Sequence, residues 1–290
     1  MDFRALIMGL AFAVMWSSAF TSARIIVASA PPLSALALRF LISGLLAVII
    51  AKAMRQSWRL TRAQWKATII FGICQNALYL GLNFVAMQTV EASLAAIIAS
   101  TMPLLVALTG WLFLGDKLRP LSLLGLVAGV AGVALIMGAR FGGGFDPYGV
   151  SLCVVGVVAL TVATLALRGA MTGGNFLMVV GLQMLIGSAV LWPFALGLET
   201  LQIEWSSKLI LAFAYTTLVP GLAATFVWFL LVNRIGAVRA ATFHFLNPFL
   251  GVAIAAVVIG EALRPLDMVG VAVIAAGILA VQLSKLPAQK

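Results

Sequence analysis

The chain has 290 residues, 63% of them hydrophobic and 9% charged, with a mean hydropathy of +1.17 and a formal net charge of +10. A soluble domain carries about 25% charged residues and about 45–50% apolar ones, so a pair of soluble domains is excluded and a polytopic membrane protein is expected. The basic excess does not mark a nucleic-acid binder, because the charges lie between apolar runs and assemble no basic and aromatic face.

Ten apolar runs follow one another, near 5–27, 33–52, 67–89, 93–114, 121–138, 148–168, 176–197, 208–232, 238–259 and 266–284. A bilayer core about 30 Å thick needs about 20 apolar residues per helix. The runs are continuous rather than alternating, which selects helices over barrel strands. Arg4, the first run and Ala28-Ser29-Ala30 imitate a cleavable signal peptide. The run from Ala5 to Ala23 is longer than the usual h-region of about 7–15 residues, so it is expected to be the first span. It carries Trp16, Ser17 and Phe20; a tryptophan near mid-span is unusual, since this residue favours the membrane interfaces.

Span two holds Arg39, about a turn and a half from its start, the one formal charge expected to be buried in a span unless it snorkels outward. The 52–66 connection is strongly basic and contains Trp58 and Trp65. In span three Gln75, Asn76, Tyr79 and Asn83 recur at three- and four-residue spacing and so fall on one stripe. Span four has Ser100 and Pro103, span six Thr161 and Thr164, span eight Pro220 and Trp228, and span nine His244, Asn247 and Pro248.

One stretch occurs twice. Leu114-Gly-Asp-Lys-Leu-Arg-Pro-Leu121 and Ile259-Gly-Glu-Ala-Leu-Arg-Pro-Leu266 stand 145 residues apart, and the same offset pairs Gly125 with Gly270, Gly132 with Gly277 and Pro103 with Pro248. Arg24 and Arg168 pair at 144. Five spans therefore repeat as five. Since five is odd, the second copy must enter the membrane upside down. The expected fold is an all-α polytopic membrane protein of ten transmembrane helices in two inverted five-helix repeats. The first repeat covers 1–140, the second 147–285, and 286–290 forms a short cytoplasmic tail. With the N-terminus inside, thirteen Lys and Arg fall on the inner side and four on the outer, so both termini are expected in the cytoplasm.

Inverted repeats are characteristic of secondary transporters, because two similar halves that exchange conformation convert an outward-open state into an inward-open one. Pro103, Pro220 and Pro248 are the hinge candidates, each removing a helix hydrogen bond; the alternative is a kink tolerated for packing. A substrate cavity is expected from Trp16, Ser17, Phe20, Gln75, Asn76, Tyr79, Asn83, Ser100, Thr161, Thr164, Trp228, His244 and Asn247. Against it stands the use of Ser, Thr, Asn and Gln as glue between membrane helices. His244 is the only histidine, so it builds no metal site and is either a packed polar residue or a proton-responsive contact.

Absences narrow the chemistry. No Asp or Glu lies deep in a span, so the usual carboxylate for a driving proton or sodium ion is missing. Gly142-Gly143-Gly144 lacks the Lys-Ser/Thr of an ATP-binding loop. Cys74 and Cys153 lie inside apolar runs without metal or disulfide spacing. No metal, cofactor, ATP or nucleic acid is expected, no enzymatic activity is expected, and a monomer suffices.

The ten spans in two halves, each ending in a proline-containing helix, a Gly-[Asp/Glu]-x-Leu-Arg-Pro turn and a Gly-rich helix, resemble the EamA repeats of the drug/metabolite transporter superfamily. Met15-Trp16-Ser17-Ser18-Ala19-Phe20 is similar to the Trp-Ser/Gly-x-x-Phe entry of EamA members. Among these the chain is most similar to YddG-type aromatic amino-acid exporters. The resemblance implies an inner-membrane exporter with a cavity formed by spans one, three, four, six, eight and nine. It places Trp16, Tyr79, Pro103, Trp228, His244 and Pro248 near that cavity. Asp116 stands where the turn most often has Glu, as at Glu261. The leading expectation is alternating-access export of aromatic or large neutral amino acids or similar metabolites. Export of cationic drugs or other small metabolites is the alternative, and a lipid-acting membrane enzyme or assembly protein is a more distant one.

Overall fold

The computed structural model describes residues 3–140, 146–166 and 174–285. Among them are ten helices long and apolar enough to cross a bilayer: α1 (Phe3–Val27), α2 (Pro32–Ala53), α3 (Arg62–Ala86), α4 (Ala92–Leu114), α5 (Pro120–Gly138), α6 (Pro147–Ala166), α7 (Phe176–Leu198), α8 (Ser207–Ile235), α9 (Ala237–Ile259) and α10 (Pro265–Ser284). All ten expected spans are present. The largest change is at α3, which begins at Arg62 because Thr61 and Gln64 form a capping box, each side chain bonded to the other's backbone N–H. Trp65 is therefore helical. Arg168, the triple glycine and the 286–290 tail lie outside the described residues.

The chain divides into two compact units, and each draws on both repeats. The first comprises residues 1–21, 90–147 and 223–290 and contains α4, α5, α9 and α10. Here α5 and α10, which are repeat mates, pack along their lengths. A methyl placed on Gly125 would lie 2.6 Å from the Gly277 carbonyl oxygen, and one on Gly132 would lie 2.9 Å from that of Gly270. The two helices are thus antiparallel, and small residues let their backbones approach. At the 145-residue offset the first contact becomes the second, the self-exchanging pattern of an isologous interface. The repeat is inverted.

The doubled turn ends α4 and α9. Gly115 (φ 71°) and Gly260 (φ 72°) adopt the left-handed conformation that a side chain disfavours. The next N–H, of Asp116 or Glu261, returns to the carbonyl of Gly110 or Ala255. The second turn has a further role. The Glu261 carboxylate accepts the N–H groups of Ala92 (2.7 Å) and Ser93 (2.9 Å) at the start of α4, while Arg264 lies 3.7 Å from Glu91. A carboxylate at a helix N-terminus satisfies orphan donors and meets the positive end of the dipole. Glu261→Ala is expected to cost about 1 kcal/mol, read as a lower thermal midpoint in detergent, with Glu261→Gln intermediate. An unchanged midpoint for the alanine variant would contradict the capping role.

The second unit comprises residues 22–89 and 148–222. Its spine is α2 against α7. The Ser188 hydroxyl donates to the Ala37 carbonyl (2.8 Å), and a methyl on Gly44 would lie 3.0 Å from the Gly181 carbonyl oxygen. At an offset of 144 these contacts also exchange, so this mate pair is antiparallel too. Glu199 caps α2 through the N–H groups of Leu33 (2.7 Å) and Ser34 (2.8 Å), and Gln56 caps α7 through that of Met178 (3.0 Å). Arg24 donates to the Met87 carbonyl.

Candidate functional site

Four helices are interrupted, and they are two pairs of repeat mates. In α9 a 3₁₀ stretch, Thr242–Leu246, separates Ala237–Ala241 from Asn247–Ile259. Pro248 has no N–H to offer the His244 carbonyl, and the Asn247 N–H takes it instead, which is the tighter 3₁₀ bond. Its mate α4 breaks at Thr101 and resumes at Met102, with Pro103 in the first new turn. In α3 the break is a π-helical stretch, Gly72–Tyr79, and in α8 it is another, Val219–Ala223, which contains Pro220. Helix interruptions at corresponding places in two inverted halves are where transporters build substrate sites.

In the first unit the break in α9 faces an aromatic cluster. The Phe12 ring lies 5.7 Å from Trp16, 4.6 Å from Trp228 and 5.5 Å from His244, and Trp228 meets His244 edge-on at 5.1 Å and 84°. Phe12 and Trp16 are one turn apart on α1 and so share a face. Trp228 also packs against a core of Ala5, Leu231, Ala240 and Phe243. Of the buried polar atoms beside the rings, Asn247 Oδ1 lacks a hydrogen-bond partner and His244 interacts with the Ala241 backbone, while the Ser17 hydroxyl reaches the Asn247 carbonyl at 3.4 Å. A buried polar atom left unsatisfied costs about 1–3 kcal/mol. The cluster thus combines ring faces suited to an apolar or aromatic group with a polar atom that a ligand would satisfy. Of the expected residues, Trp16, Ser17, Trp228, His244 and Asn247 are brought together here. Phe12, the ring at the centre, is absent from the expected set; its four-residue spacing from Trp16 is the signal that could have found it. Phe20 is buried in the same unit, and Ser100 bonds back to the Ala96 carbonyl of its own helix.

The other expected residues fall in the second unit. The predicted stripe on α3 is divided by the π winding, which adds a residue per turn and rotates the positions beyond it. Asn76 donates to the Gln183 carbonyl on α7 (2.8 Å), whereas Asn83 donates to the Tyr79 carbonyl (2.8 Å) and lies against Gly156 of α6, its Oδ1 unpartnered. Thr161 and Thr164 bond back to carbonyls of α6. Arg39 does not snorkel: it is 5% exposed, with its guanidinium 5.3 Å from the Phe40 ring. A cavity of about 820 Å³ at one end of this unit is lined by residues including Ser29, Pro32, Gln88, Glu199, Gln202 and Glu204.

The two units differ in chemistry at equivalent positions. The repeat offsets carry Phe12 onto Gly156 and Trp228 onto Asn83. The same contact is made by two rings in one unit and by a glycine and an amide in the other.

The EamA-like transporter family matches this chain twice, over residues 3–138 and 147–283. The uncharacterized transporter YvbV of Bacillus subtilis is 29% identical over 278 residues, covering 96% of this chain and 90% of that one. The uncharacterized inner membrane transporter YedA of Escherichia coli is 27% identical over 281 residues, covering 94% and 88%. The aromatic amino acid exporter YddG of Ancylobacter novellus is 29% identical over 144 residues, 49% of this chain and 50% of that protein. A solved structure 23% identical in sequence superposes with a TM-score of 0.69 over 98% of each chain and shares the fold. With both halves matched, ten apolar helices and inner-membrane relatives, the chain belongs to the EamA-like transporter family and is a multi-pass inner-membrane transporter.

Proposed function

We propose that the chain exports amino acids with aromatic or large apolar side chains by alternating access. The observation that carries this reading is the cluster of Phe12, Trp16, Trp228 and His244 beside the interrupted α9. The rings pack on one another with centroids 4.6–5.7 Å apart and form an aromatic surface on which a planar apolar side chain would stack, while the unpartnered Asn247 Oδ1 would accept a hydrogen bond from its polar end. The similarity of half the chain to an aromatic amino acid exporter supports the same class. Cells expressing the protein and fed a phenylalanine-containing dipeptide are expected to release phenylalanine faster than control cells. Equal efflux would refute the proposal. Aromatic faces also attract organic cations, which makes cationic drugs the second reading; a competition panel on phenylalanine efflux separates the two.

The inversion supports alternating access, and the Lys and Arg distribution supports both termini in the cytoplasm. Cysteine introduced at Lys117 and at Ala262 is expected to label from opposite faces, Lys117→Cys from the cytoplasm. Labelling of both from one face would contradict this topology.

A further inference from the structure

Arg39 lies in α2 and is only 5% exposed, yet its Nε has no hydrogen-bond partner. Among the described residues no carboxylate forms an ion pair with it, and the acidic residues stand in connections or at helix ends. Phe40, Ser43 and Gly221, which stand beside it, are neutral. A methyl on Gly221, in the π stretch of α8, would lie 3.5 Å from Arg39 Nη2 and 3.4 Å from Ser43 Oγ, so the guanidinium sits at contact distance from this stretch. Ser43 is already committed to the Thr217 carbonyl (3.3 Å). The repeat mate of Arg39 is Gln183, which fills the corresponding place on α7 without a charge. Packing alone therefore does not call for a cation at position 39.

Guanidinium does not deprotonate in proteins. Removing an unpaired charge from water is expensive, and a charge retained inside a membrane span at that cost is a functional candidate. No counter-charge cancels its field, and salt screens a buried charge much less than an exposed one. We propose that Arg39 sets the charge selectivity of transport: it favours ligands bearing a carboxylate, as anions or zwitterions, and rejects organic cations. This rests on the amino-acid reading above and decides it against the cationic-drug alternative. Arg39 is a specificity-determining residue in this account, acting through its charge.

The test uses purified protein in liposomes, initial flux of labelled phenylalanine, and two competitors that share a phenylethyl group: 3-phenylpropionate, an anion, and 2-phenylethylammonium, a cation at neutral pH. For the wild type, half-inhibition by the anion is expected at a concentration at least ~10-fold lower than by the cation, a difference of about 1.4 kcal/mol. Arg39→Gln is expected to abolish or reverse that ratio, and Arg39→Lys to keep it. Equal competition by the two on the wild type would overturn the inference, as would a wild-type ratio in Arg39→Gln. Should Arg39→Gln elute aggregated from size exclusion, the wild-type and Arg39→Lys ratios decide alone, and equal competition in either overturns it. Phenylalanine flux with the wrong competitor order refutes only the role of Arg39, whereas absence of wild-type flux refutes the substrate reading and this inference together.

Discussion

Trp228→Ala is expected to raise the half-saturating phenylalanine concentration by about 10- to 100-fold, which corresponds to about 1.4–2.7 kcal/mol of lost binding. The magnitude follows from what the ring does. An aromatic pair is worth about 0.5–1.5 kcal/mol beyond the area it buries, and Trp228 makes two such pairs, a tilted one with Phe12 at 4.6 Å and a T-shaped one with His244 at 5.1 Å. Removing it takes away a stacking surface and loosens two others. Trp228 also packs on Ala5, Leu231, Ala240 and Phe243, so the alanine variant should lose stability as well. Trp228→Phe separates the effects: it keeps an apolar ring, should retain most of the thermal midpoint, and should shift half-saturation by only a few fold. A large loss of midpoint with unchanged half-saturation in Trp228→Ala would return this tryptophan to packing alone.

Gly125→Leu is expected to destabilise the protein by about 3 kcal/mol, at the upper end of overpacking costs. Its first side-chain atom would sit 2.6 Å from the Gly277 carbonyl oxygen, 2.9 Å from Val281 Cγ2 and 3.1 Å from the Val281 nitrogen. Two of these are backbone atoms, which cannot swing aside, so α5 and α10 would have to separate along a crossing made by Gly125, Gly132, Gly270 and Gly277. Gly138 is the internal control: nothing lies within 4 Å of a methyl placed there. Gly138→Leu should stay within about 0.5 kcal/mol of the wild type. Thermal scans followed by size exclusion compare the two, and equal midpoints would contradict the close antiparallel approach.

The spans are legible in the sequence because hydropathy over about 20 residues is a one-dimensional property, and the inversion because an odd repeat leaves no alternative. The partners of that repeat are not. Glu261 reads in sequence as part of a turn, but its carboxylate serves Ala92 and Ser93, 169 and 168 positions away. A capping residue so distant in sequence has no local signature. The Thr61 and Gln64 capping box does have one, and the start of α3 obeys it.

The residues of the cluster are legible from residue type and position: Trp16 and Ser17 on regular helix, and His244 and Asn247 beside Pro248, whose missing N–H marks the 3₁₀ break. The α3 stripe assumes 3.6 residues per turn, and the π winding from Gly72 to Tyr79 invalidates that geometry, sending Asn76 toward α7 and Asn83 toward α6. Nothing in Gly-Ile-Cys-Gln-Asn-Ala-Leu-Tyr announces a π stretch, whereas Pro220 in α8 gives partial notice of the other. Arg39 stands out in the sequence as a charge within a span, but its burial and its unpartnered Nε emerge only from the structure.

Counterflow in liposomes addresses the central claim most directly. Vesicles containing purified protein and loaded with unlabelled phenylalanine are placed in dilute labelled phenylalanine. Transient, saturable accumulation of label above protein-free vesicles is expected, diminished in Trp228→Ala and suppressed by excess external tryptophan. Accumulation no greater than in protein-free vesicles would contradict it.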